Sequence, residues 1–190
     1  MLLSITMWRK RKEVIDDSER VISDRERARE RTMNRAVKLL AAKPRSIGEL
    51  RERLLEKAWT DREIVDSVIE RLSDYKYLDD AQYAADLAVS KLRQQPQGRR
   101  RLKQSLSQKK LDKETVDEAI TSAFEKIPEA DLIDVAIEKR LRLKGRPETR
   151  DDLKKFYDHL LRRGFSYDLV KEKLRDIAKF DPSTTADGAE

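Results

Sequence analysis

Apolar residues recur along the middle of the chain at spacings of three, four and five, the signature of one helix face and not of an alternating strand. The pattern also repeats itself. Shifted by 52 residues, Val37, Leu40, Leu50, Leu54, Trp59, Ile64, Val68 and Leu72 fall on Val89, Leu92, Leu102, Leu106, Leu111, Val116, Ile120 and Phe124, and Pro44 falls on Pro96. A second shift, of 51 up to the proline and 54 beyond it, carries Leu92 to Leu143, Pro96 to Pro147, Leu102 to Phe156, Leu106 to Leu160, Leu111 to Phe165, Val116 to Val170 and Ile120 to Leu174. Three copies of one unit are implied, the third with a longer loop after Pro147.

Each unit reads as three helices. In the first, a helix ends near Ala42, because Pro44 disfavours helix in the residue before it. A second starts near Ser46, where "SIGE" has the form of a capping box, and runs to about Lys57. A third follows Thr60 and Asp61 and ends around Ser73. The second unit repeats this with boundaries near Asp79 or Asp80, Gly98 and Asp112, and the third near Pro128, Thr149 and Ser166. The expected fold is all-α: three tandem three-helix repeats forming an elongated curved array in which neighbours bury one another's apolar faces. The expected division is a charged, partly helical or mobile extension over 1–33, with "SDRE" at Ser23 as a candidate helix start. Repeats follow over 34–78, 79–127 and 128–180, then a disordered polar tail over 181–190.

Composition supports long exposed helices: 42% of residues are charged, 6% are aromatic, and there are five glycines and five prolines. With no cysteine, disulfides and thiolate metal sites are excluded. In "MLLSITMW" the basic run follows the short apolar segment, the reverse of a secretory signal, and no window approaches about 18 apolar residues, so a soluble cytoplasmic protein is expected. No phosphate loop, dinucleotide fingerprint or nucleophile elbow is present, and the single histidine, His159, reads as a surface or boundary residue of an amphipathic helix. The pairs Asp79–Asp80 and Asp151–Asp152 stand at expected helix starts, where aspartate accepts from free backbone N–H groups; Asp16–Asp17 is a third pair. A binding protein without a cofactor is expected.

The net charge of +6 is spread over 43 basic and 37 acidic residues, so its distribution decides its meaning. The stretch "KLRQQPQGRRRLKQSLSQKK", Lys91 to Lys110, holds eight bases and no acid. The repeat supplies a control: the matching helix of the first unit, "SIGELRERLLEK", and of the third, "TRDDLKKFYDHLLRR", both mix acids with their bases. Only the second unit drops every acid, which marks Arg99, Arg100, Arg101, Lys103, Lys109 and Lys110 as the candidate contact surface. On a helix, Leu102 and Leu106 form the buried stripe, Arg99 and Lys103 lie along its edge, and Arg100, Gln104 and Gln108 face outward. Such side chains suit phosphate oxygens and surface carboxylates equally. Tyr75, Tyr77 and Tyr83 fit core or boundary positions at least as well as a stacking platform, which favours backbone phosphates or an acidic protein over base reading.

The segment "YLDDAQYAADLAVSKLRQQPQGRRRLKQSLSQKKLDKETVDEAI", Tyr77 to Ile120, resembles the centre of the RecX family of recombination regulators. "RAVKLLAAKPRSIGELRERLLEKAWTDREIVDSVIERL" resembles that family's first repeat and "LLRRGFSYDLVKEKL" its last, so the likeness covers about residues 34 to 178. Ser105 stands where the family usually has glutamate. Lys110 and Ala58 stand where a lysine-glycine turn has glycine, so the basic patch is more cationic than usual and the helix end before Lys110 is open to reshaping. The resemblance implies a non-catalytic protein that lodges in the helical groove of the RecA recombinase filament on single-stranded DNA. It also implies damped ATP hydrolysis, strand exchange and SOS-repressor cleavage. A helical-repeat protein acting directly on nucleic acid is the alternative. A capped array with polar outer faces is expected to be monomeric.

Overall fold

The computed structural model describes Arg20, residues 22–175 and Ile177, and among these it holds nine α-helices and no strand. They are α1 (Arg25–Ala42), α2 (Ile47–Leu55), α3 (Arg62–Asp74), α4 (Asp80–Gln94), α5 (Arg99–Ser107), α6 (Lys113–Lys126), α7 (Glu129–Lys144), α8 (Arg150–Arg162) and α9 (Tyr167–Arg175). The polar punctuation of the sequence sets most of these starts. Asp24, Ser46, Asp61, Asp112 and Thr149 are N-caps whose side chains accept from the backbone N–H of Arg27, Glu49, Ile64, Thr115 and Asp152. Each such bond satisfies a donor that the helix leaves open and is worth about 1 kcal/mol. The first helix starts one residue after Asp24 and takes in residues 25–33 of the stretch assigned above to the extension. Residues 1–19 and 21 of that extension, with Asp16–Asp17, and the tail from residue 181 lie outside the described residues.

The chain divides into two compact units at Asp79 and Asp80. In the first, α1 packs on α2 and α3 around Ala36, Leu50, Leu54, Val65, Val68, Ile69 and Leu72. In the second, α4 to α9 share one core that runs from Ala84 to Leu174, so the second and third repeats bury apolar side chains in common.

The apolar positions of the second and third helix of each repeat are buried as their periodicity requires. Leu50, Leu54, Leu102, Leu106 and Leu160 are each 0% exposed. The first helices behave differently. Val37 is 51% exposed, and the buried stripe of α1 is Ala28, Thr32 and Ala36. Likewise α4 buries Ala84, Ala88 and Leu92. Alanine lets helix backbones approach closely while leaving no long apolar run to read in the sequence.

The register of the third repeat is corrected in the same way. Leu143, matched above to Leu92, is 67% exposed. Instead α7 buries Ile133 and Ile137, with Leu141 packed against the core, which corresponds to Ala84, Ala88 and Leu92 shifted by 49. Most of the extra residues before Phe156 do not lengthen a loop. They add a turn to the start of α8, capped by Thr149.

Tyr75 and Tyr77, for which core or boundary positions were expected, are 57% and 70% exposed in the turn after α3. No described helix is long and apolar enough to cross a membrane.

Candidate functional site

The acid-free stretch forms α5 and its flanks. Leu102 and Leu106 anchor the helix at 0% exposure and fix which side chains face outward. The two edges of the helix then meet different neighbours.

On one edge the cations are compensated from other elements. The Arg99 backbone N–H donates to Glu129 Oε1 at 3.1 Å, its Nε lies 3.7 Å from Glu129 Oε2, and its guanidinium sits 4.7 Å from the centre of the Phe124 ring. Glu129, the first residue of α7, therefore caps the N-terminus of α5 and pairs with its first arginine. One turn on, Lys103 forms an ion pair with Asp117 of α6. The stretch has no acid of its own, yet Arg99 and Lys103 each meet an acid brought in by the fold.

Arg100 is exposed and makes no side-chain bond among the described residues. Arg101 is exposed and makes only a long bond, 3.4 Å, from Nη1 to the Arg162 carbonyl. Lys110 is exposed and Lys109 partly buried, beyond the end of α5. Lys110 adopts φ of +57°, the left-handed conformation that glycine takes without cost, and its counterpart in the third repeat, Gly164, has φ of +89°. The turn therefore keeps its shape although glycine is missing. The helix end is also unmoved: α5 spans nine residues, as α2 does.

The edge that carries Arg101 packs backbone to backbone on the α8–α9 turn. A Cβ on Gly98 would lie 2.2 Å from the Gly164 carbonyl oxygen, and one on Gly164 would lie 2.4 Å from the Arg101 nitrogen. The contact is sealed by Gly98 N–H donating to the Arg163 carbonyl at 3.0 Å and by Arg163 Nη1 donating to the Pro96 carbonyl at 2.9 Å. This packing explains why the N-cap of α5 is glycine while those of α2 and α8 are Ser46 and Thr149. It also sets Arg162 and Arg163 beside Arg101, three arginines that the sequence reading did not group.

His159 is a boundary residue, as its place on an amphipathic helix required. Its Nε2 accepts from Arg163 Nε at 3.1 Å. Burial, and after it Arg140, Arg163 and Arg162, hold its imidazole below the ordinary range. Arg163 is likewise held below its usual value, by burial first and by Arg101 second. Asp151 and Asp152 lie in the first turn of α8. Asp152 is depressed chiefly by the hydroxyl of Thr149, as a helix-start role implies. Among the described residues no group of three or more acidic or histidine side chains is arranged to hold a metal ion.

These features define an all-helical protein of three three-helix domains, with an acid-free basic stretch, Lys91 to Lys110, inside the second. The family described as RecX matches all three in register: its first three-helix domain at residues 33–72, its second at 79–120 and its third at 129–174. The chain belongs to the RecX family of regulatory proteins. It is 31% identical to Regulatory protein RecX of Prosthecochloris aestuarii over 147 residues, which is 77% of this chain and 93% of that protein. It is 35% identical to Regulatory protein RecX of Thermotoga petrophila over 145 residues, 76% of this chain and 83% of that one. The crystal structure of RecX from Lactobacillus salivarius shares the fold, with a TM-score of 0.71 at 20% identity, covering 80% of this chain and 97% of that chain.

Proposed function

We propose that the protein binds the RecA filament on single-stranded DNA, lodges in its helical groove, and so lowers RecA's ATP hydrolysis, strand exchange and co-protease action. In that role it modulates recombination, DNA repair and the SOS response in the cytoplasm, acting as a monomer without a cofactor. Membership of a family of regulatory proteins supports the class of activity. The observation that carries the contact surface is the outward cationic face of α5, on a scaffold whose other second helices mix their charges.

Within the six candidate residues the roles divide. Arg100 and Arg101 are the principal contacts, since neither meets a carboxylate. Lys109 and Lys110 extend the surface, while Arg99 and Lys103 share their charge with Glu129 and Asp117. Arginine forks in this setting engage carboxylates of a protein surface or phosphate oxygens of the DNA within the filament.

The test is co-sedimentation with preformed RecA filaments at rising salt, beside the same titration on bare single-stranded DNA. Binding to the filament that far exceeds binding to the bare strand supports the proposal. Equal binding to both would favour direct action on nucleic acid, with a log-log salt slope of about −0.7 per phosphate contact.

A further inference from the structure

Two residues on from Arg99, about 200° round the helix, Arg101 borders a cavity of about 190 Å³ in the second unit. It is lined by Arg101, Arg162, Arg163, His159, Gln95, Pro96 and Gln97, and no acidic residue lines it. Three arginines rarely converge without an acid among them, because each like charge raises the cost of the next.

We propose that this cavity is a phosphate-binding pocket that takes a single phosphomonoester or phosphodiester group. Arg163 is the fixed wall, with Nε on His159 and Nη1 on the Pro96 carbonyl. Because His159 Nε2 accepts that bond, the neutral ring carries its proton on Nδ1. The remaining donors are unspent. Arg162 makes no side-chain bond among the described residues, and Arg101 makes only the 3.4 Å bond to a carbonyl. The carboxamide of Gln97 has no hydrogen-bond partner among them either, although the residue is only 5% exposed. Its polar atoms are not shut off from solvent, so a ligand oxygen can reach them. A carboxylate has two oxygens for these converging donors. A phosphate group has three or four, disposed to accept from several forks at once.

His159 is the only histidine in the chain, so its imidazole resonances report on the pocket without ambiguity. The experiment titrates the full chain with sodium phosphate against sodium chloride at constant ionic strength and pH 7.5. A third titration uses a twelve-residue oligothymidylate. The expected result is a saturable movement of the His159 resonances with phosphate, the oligonucleotide or both, and none with chloride. Movement with phosphate alone identifies a small phosphorylated ligand. Tighter binding of the oligonucleotide identifies a nucleic-acid backbone.

Arg162→Gln should weaken the binding about ten- to a hundredfold, the loss of one charge-assisted pair of bonds. Arg162→Lys, which keeps the charge but loses the fork, should fall between that variant and wild type. Identical responses to phosphate and chloride with no response to the oligonucleotide would overturn the proposal, as would a response that Arg162→Gln leaves unchanged. The assay contains no recombinase, so its outcome is separate from that of the filament reading.

Discussion

Gly98 sets helix capping against tertiary packing, and the two make opposite forecasts for a single substitution. Its backbone, φ of −83° and ψ of 172°, is open to any residue, and as an N-cap it lacks the side-chain bond that Ser46 and Thr149 make. By capping alone, Gly98→Ser is neutral or gains a few tenths of a kcal/mol. By packing, a Cβ there stands 2.2 Å from the Gly164 carbonyl oxygen, 2.4 Å from its carbonyl carbon and 2.4 Å from the Phe165 nitrogen. All three are backbone atoms, so no side chain can swing aside. The N-terminus of α5 must withdraw, which breaks the bond from Gly98 N–H to Arg163 and loosens the one from Arg163 to Pro96. Overpacking costs about 1–3 kcal/mol and each lost bond about 1 kcal/mol, so Gly98→Ala and Gly98→Ser should each cost about 3 kcal/mol. For a unit of roughly 100 residues that lowers Tm by about 10–20 °C. Circular dichroism at 222 nm through a thermal ramp, with urea unfolding beside it, measures the loss. A Gly98→Ser variant as stable as wild type would refute the backbone contact between α5 and the α8–α9 turn.

Lys110→Gly, which relieves a left-handed residue at the cost of a freer unfolded chain, should stabilise by roughly 0.5 kcal/mol in urea unfolding. Asp117→Asn should cost at most about 1 kcal/mol, because its ion pair with Lys103 is exposed, and should tighten filament binding by releasing a cation on α5. The depressed pKa of His159 means that the unfolded chain binds its proton more readily than the folded chain does. Stability should therefore fall as pH drops below the ordinary histidine value of about 6.5, and flatten once the folded pKa is passed. Unfolding of wild type and His159→Gln at pH 7.5 and pH 5 checks this, the variant being expected to lose less.

The repeat was legible because Leu, Ile, Val and Phe at helical spacing must be buried, and because Ser46, Asp61, Asp112 and Thr149 carry side-chain oxygens suited to a helix start. What escaped was carried by residues whose part depends on a distant neighbour. Ala28, Ala36, Ala84 and Ala88 show burial only when a second helix lies against them. Glu129 and Asp117 change the meaning of the acid-free stretch from other helices, 30 and 14 residues beyond their partners. The grouping of Arg101 with Arg162, Arg163 and His159 follows from the contact of two glycines 66 positions apart, which no local pattern encodes. One signal was available: glycine at 98, where the other repeats place serine and threonine, marks a backbone that something approaches closely.

The measurement that tests the central claim most directly is single-stranded-DNA-dependent ATP hydrolysis by the cognate RecA, titrated with this protein and with Arg100→Glu/Arg101→Glu. Arg99 is left intact because its N–H and guanidinium tie α5 to Glu129. The account predicts suppression by the wild type at sub-stoichiometric levels, and a requirement for at least about tenfold more of the variant, the effect of about 1.4 kcal/mol. Equal suppression by both proteins would contradict the assignment of α5 as the contact surface, and no suppression by the wild type would contradict inhibition of RecA itself.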